Sequence, residues 1–173
     1  MNTANNTPHH LRSITVNETQ NATSFDAAKL LLEVRLGQAT ASRAIIEVLE
    51  KEAESILDPD GGITKSAYAH ATPELISLAR EDRRRRIKAK LIAGEASEYV
   101  FRGLPEQTDW RELLAWIKGC GLNPLSVVVP RGGDYAYVIF PVRESAKVED
   151  LFPSSSDLRF KEVKLNVRKA RRS

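Results

Sequence analysis

The sequence predicts an α+β protein: a four-stranded antiparallel sheet with two helices on one face, preceded by an α-helical region. Three observations carry this. From Glu98 to about Ala170 the chain reads strand, helix, strand, strand, helix, strand, an order that builds an open sheet with both helices on the same side. Within that span Gly133-Asp134-Tyr135-Ala136-Tyr137-Val138-Ile139-Phe140 alternates by side-chain type. A strand there points Tyr135 and Tyr137 to one face and Ala136, Val138 and Phe140 to the other. Upstream, Ile46, Leu49, Ala53 and Ile56 recur at helical intervals of three, four and three.

Taken in order, residues 1–23 are rich in Asn, Thr and Ser and poor in large apolar groups. They are expected to be a disordered tail, because they bury too little surface to offset their ordering entropy. Residues 24–94 form the helical region. A first helix is expected over Phe25–Leu36, with Ser24 as N-cap, Asp26 in its first turn and Gly37 at its end. A second runs from Thr40 to about Leu57. Its seam fits either packing against another helix of the same chain or self-association as a coiled coil, to make a homodimer or to hold a helical partner. Asp58-Pro59-Asp60-Gly61-Gly62 is a turn by composition, and the later acidic ligands of a calcium loop are missing. Thr72-Pro73-Glu74 is an N-cap followed by proline at the first helical position, opening a helix that runs to about Ala93 and stops at Gly94. That helix carries Arg83, Arg84, Arg85, Arg86, Lys88 and Lys90. Such a cluster reads as a solvated charged face, a nuclear import signal or an arm that contacts phosphate.

In the module of residues 98–170, Glu98–Arg102 is the first strand and Gly103-Leu104-Pro105 ends it. Asp109 and Glu112 are placed for a reciprocal cap on a helix whose apolar side is Leu113, Leu114, Trp116 and Ile117. Leu125–Val129 is the second strand, and Arg131-Gly132-Gly133 leads into the tyrosine strand. Glu144 to about Phe152 is the second helix, and Val163–Arg168 the last strand, followed by a basic tail at 171–173.

Composition bounds the function. The chain has 173 residues and is 42% hydrophobic, enough to bury a core. No apolar run approaches the roughly 20 residues that span a bilayer, so no membrane association is expected. The N-terminus lacks the layout of a secretory signal. Cys120 is the single cysteine, which excludes an internal disulfide and a cysteine zinc cluster and favours a reducing compartment. His9, His10 and His70 have no metal-ligand spacing. No metal or other cofactor is expected. Nor is there a nucleophile–base pair or a phosphate-binding glycine loop, so the expectation is a protein that is not an enzyme. The net charge of +3 permits nucleic-acid binding without demanding it.

An apolar strand face explains itself as core. Two tyrosines on the opposite face need a covering partner, or serve as a platform on which flat rings stack, RNA bases being the commonest. The octet resembles the third-strand signature of the RNA recognition motif: Tyr135, Ala136, Tyr137, Val138 and Phe140 fit the pattern, while Gly133 and Asp134 stand where a basic residue and a glycine are usual. The resemblance extends across residues 98–170. Gly103-Leu104-Pro105 is similar to the Asn-Leu-Pro that ends the family's first strand, Gly121 follows the first helix, and Lys164–Ala170 is similar to the final strand. It implies a ferredoxin-like βαββαβ sandwich that binds single-stranded RNA on its open face. Tyr135 and Tyr137 would stack on bases. Arg102, Arg131, Lys164, Asn166 and Arg168 would contact phosphates or base edges. The first-strand aromatic slot holds Val100, in the register set by Leu104; a slip of one residue would turn Phe101 outward instead. A helical segment before a single such module is similar in layout to the nuclear poly(A)-binding protein, and layout carries no RNA specificity over. A nuclear ribonucleoprotein acting in mRNA processing is the corresponding expectation, with the cytoplasm as the other compartment. A module that keeps this fold and binds protein, as a scaffold or subunit of a ribonucleoprotein complex, is the second reading; Val100 and Gly133 favour it.

Overall fold

The computed structural model describes residues 11–153 and 156–171. They form two compact units that divide in sequence between Arg86 and Ile87, each with its own apolar core. Among the described residues no helix is long and apolar enough to cross a membrane.

The first unit is built on helices. Strand β1 (Arg12–Ser13) pairs in parallel with β2 (Ala39–Thr40), and α1 (Val16–Gln20) and α2 (Ser24–Arg35) lie between them in the chain. Residues 11–23 are therefore not the disordered tail expected from composition; the remainder of that expected tail, residues 1–10, lies outside the described residues. Two devices order the segment. Ile14 enters the core, and successive capping boxes start the helices, Thr15 with Glu18 and Thr23 with Asp26. Each box satisfies two backbone N–H groups that a helix start leaves without partners. The N-cap of α2 is thus Thr23, one residue earlier than expected.

Helix α3 (Arg43–Glu52) is shorter than the expected 40–57, because Ser42 caps it and the chain leaves the helix at Ala53. Of the seam Ile46, Leu49, Ala53 and Ile56, the last three are buried with Leu31, Leu32 and Leu75 in this unit's own core, and Ile46 packs against it partly buried. After the turn at residues 58–62 and the short α4 (Lys65–Tyr68), α5 runs Pro73–Ala93. It opens with the Thr72 hydroxyl accepting from the Leu75 N–H at 3.2 Å and gives way to Gly94 at φ +77°, as the sequence predicts.

The second unit holds an antiparallel sheet of β4 (Ser126–Val128), β5 (Tyr135–Pro141), β3 (Ala96–Arg102) and β8 (Asn166–Lys169), in that spatial order. Helix α6 (Trp110–Gly119) follows β3, and α7 (Ser145–Leu151), preceded by a 3₁₀ turn at Val142–Glu144, follows β5. Leu113 and Ile117 of α6 and Val148 of α7 share one core with Tyr99, Phe101, Ala136, Val138 and Phe140. The period of two in β3 and β5 therefore sends one face of the sheet to both helices. An aromatic chain runs through this core, Tyr99–Phe140–Phe101–Phe152–Trp116–Phe160, with ring centroids 5.3–6.3 Å apart. Burial pushes the Tyr99 phenol up, and the neighbouring Ser145 hydroxyl pulls it down by less.

Three local expectations are corrected here. The reciprocal cap of α6 is absent: the Asp109 carboxylate accepts from the Arg111 N–H, and Glu112 pairs instead with Lys161 at 2.6 Å. The second helix starts one residue later than expected, at Ser145, with the buried Glu144 at its N-cap position. Both oxygens of Glu144 accept from the Asn123 N–H, at 2.9 and 3.2 Å, which ties the loop after α6 to the end of β5. The expected last strand, Val163–Arg168, is split. Its first part, β7 (Val163–Lys164), pairs with β6 (Arg159–Phe160) in a separate hairpin, and the sheet strand begins at Asn166.

Candidate nucleic-acid interface

The face of the sheet turned away from α6 and α7 is set by register. Opposite residues of an antiparallel pair point the same way. Val128, Tyr137, Val100 and Arg168 therefore form one row across all four strands, and Tyr135, Arg102 and Asn166 a second row beside it. A third row holds Ser126, Ile139 and Glu98.

The first-strand register is the one fixed by Leu104. Phe101 is fully buried and Tyr99 nearly so, which leaves Val100 and Arg102 on the open face. The backbone reason lies at the strand end. Gly103, at φ +87°, turns the chain beside the Lys164 carbonyl, and the Leu104 N–H donates to the Asp134 carbonyl at 2.7 Å. That bond locks the end of β3 to the start of the tyrosine strand.

Tyr137 is 39% exposed and Tyr135 half-buried. Their rings meet edge to face, with centroids 5.5 Å apart and planes at 84°. Gly133 explains part of this setting. A Cβ there would lie 3.2 Å from the Tyr135 ring and 3.3 Å from the Pro130 carbonyl, so the absence of a side chain at Gly133 leaves room for the ring.

The other candidates divide. Arg102, Asn166 and Arg168 are exposed on the same face as the tyrosines, and Arg131 is exposed in the turn before β5. Lys164 is not among them: it lies in the β6–β7 hairpin rather than on the sheet strand. Of the basic tail, Arg171 is described and exposed, while residues 172–173 lie outside the described residues.

The arginine run of α5 is largely engaged within its own unit. Glu81 pairs with Arg84 at 2.9 Å and Arg85 at 3.2 Å. The buried Asp82 lies 3.2 Å from Arg86 and 3.7 Å from Arg35. Arg85 also donates to the Leu36 carbonyl and Arg86 to the Pro59 carbonyl. Arg83 packs its stem under Gly61 and Gly62. Burial, aided by repulsion from Arg86, lowers the Arg35 pKa, and Asp82 opposes the shift. Among these candidates, Lys88 stays exposed and Lys90 half-buried.

Sequence reading missed Glu98, which stands half-buried on the open face. The signal was present in the strand's alternation, Glu98-Val100-Arg102 against Tyr99-Phe101, but a search for rings and cations passes over a carboxylate. No protein-family model, curated protein or solved structure matches the chain.

Proposed function

We propose that this chain is a non-enzymatic protein that binds single-stranded RNA on the open sheet face of a ferredoxin-like RNA recognition motif. The observation that carries the reading is the pair Tyr135 and Tyr137 on the face turned away from α6 and α7, with Arg102 opposite one and Val100 and then Arg168 opposite the other. The antiparallel strand order, with one helix after β3 and one after β5 buried in a shared core, supports the fold. Aromatic rings take the bases, each stack contributing roughly 1–3 kcal/mol. The guanidinium groups take phosphates or base edges. Unpaired single strands suit the site because their bases can splay onto a flat sheet. A nuclear ribonucleoprotein is the setting this reading favours.

A second reading is a protein-binding module of the same fold. The aliphatic Val100 in the stacking slot and the carboxylate of Glu98 on the same face favour it.

Fluorescence-anisotropy titration of mixed single-stranded RNA pools across a salt series, with the intact protein and with Tyr135→Ala/Tyr137→Ala, separates the readings. Tight binding that collapses in the double variant supports the sheet platform. Binding that survives the variant but falls steeply with salt moves the activity to the basic segments. No binding at all makes the protein-interaction module the better reading.

A further inference from the structure

The geometry points to Glu98 as a base-reading residue that selects guanine at the position stacked on Tyr137. This inference rests on the proposed RNA-binding face and names a specificity for it.

Glu98 is two residues from Val100 along β3, and Val100 is the direct partner of Tyr137. Glu98 is therefore a diagonal neighbour of Tyr137, about 7–8 Å away between backbones, within reach of a long side chain and of the edge of a ring lying on the tyrosine. Arg168, the partner of Val100 on its other side, lies two strands from Tyr137 and is a diagonal neighbour of Glu98 on β8. Neither Glu98 nor Arg168 forms an ion pair among the described residues.

A carboxylate is costly here on two counts. It is half-buried beside Ile139 and forms no ion pair among the described residues, and a charge that gives up part of its water without a partner is disfavoured. It also repels phosphate on a face otherwise furnished with arginines. A ligand that brings hydrogen-bond donors offsets both costs.

An ionised carboxylate only accepts hydrogen bonds. Guanine is the one RNA base whose pairing edge offers two adjacent donors, N1–H and the N2 amino group, with the O6 acceptor beside them. The two donors fit the two oxygens of Glu98, and O6 and N7 fit the guanidinium of Arg168. Adenine and cytosine each offer a single amino donor beside an acceptor, and uracil a single ring N–H between two acceptors.

The test is anisotropy titration of four labelled hexamers that differ at one internal base, UUGUUU, UUAUUU, UUCUUU and UUUUUU, with the full chain and with Glu98→Gln and Glu98→Ala. A bidentate contact predicts that the intact protein binds the guanine hexamer roughly tenfold or more tightly than the uracil one. Both variants should lose most of that ratio while binding the uracil hexamer as the intact protein does or more tightly. Equal affinity for all four hexamers, or a guanine preference unchanged in both variants, overturns the assignment and leaves the RNA-binding reading standing. Failure to bind any hexamer overturns the assignment, and only failure of the mixed RNA pools as well overturns the RNA-binding reading.

Discussion

At the scale of single residues, the sheet separates side chains that hold the fold from side chains that face outward. Phe101 and Tyr137 stand on adjacent strands and point to opposite faces. Phe101 is fully buried against Phe140 and Phe152, so Phe101→Ala should cost about 3–5 kcal/mol of stability. Urea unfolding followed by tryptophan fluorescence measures this well, because Trp110 and Trp116 both lie in the second unit. Tyr137→Ala should leave that unfolding curve within about 1 kcal/mol of the parent. It should weaken RNA affinity by the roughly 1–3 kcal/mol of one missing stack, read by anisotropy. The alternation around Tyr135 and Tyr137 was legible because a strand repeats every two residues and the two faces differ in polarity. The orientation of Val100 was legible only through Leu104, whose position fixes the register. The same alternation placed Glu98 on that face, but one acidic residue in a short strand looks the same as a solvated edge, so nothing marked it as part of a site.

At the scale of elements, start and stop signals were readable where one residue type has one use. Thr72-Pro73 and Gly94 bound α5 where the sequence places its ends. The β6–β7 hairpin was hidden for the converse reason. Lys161 and Glu162 both adopt positive φ, 47° and 68°, the conformation of a turn that favours Asn-Gly, and their side chains advertise nothing of the kind. Glu162→Gly should relieve that conformation and raise stability by about 0.5–1 kcal/mol, read as a higher midpoint of thermal unfolding. Lys161 is better left in place because it pairs with Glu112. In α5 the acidic residues decide how the arginines are used. Asp82→Ala leaves Arg35 and Arg86 facing one another without their shared anion. Both arginines remain about a third exposed, so the loss should be nearer 2 than 5 kcal/mol. Circular dichroism across a urea series would register it as an earlier loss of helix.

At the scale of the whole molecule, a net charge of +3 conceals an uneven distribution. Most of the arginine run of α5 is spent on Glu81, Asp82 and backbone carbonyls, while Arg102 and Arg168 stand open on the sheet. The salt dependence of RNA binding should follow the open groups. Replacing Arg102 and Arg168 by glutamine should flatten the slope of log affinity against log salt by about 0.7 for each phosphate that is no longer neutralised. Replacing Arg84 and Arg85 should flatten the slope by less than this, because their shared partner Glu81 offsets one of their two charges. The division into two units was legible only in outline. Composition separated a helical region from a mixed one, but it could not place the boundary at Arg86, inside a helix that continues to Ala93. It also could not foresee that a segment rich in Asn and Thr would be ordered by two capping boxes and one buried isoleucine.

The perpendicular setting of Tyr135 and Tyr137 governs the path of whatever strand lies on them. Two flat groups resting one on each ring stand about a right angle apart, so they cannot be consecutive members of one unbroken column. A polymer that occupies both rings must kink between the two units it presents. Flexible backbones pass that requirement easily, and chains already wound into a helix must first come undone.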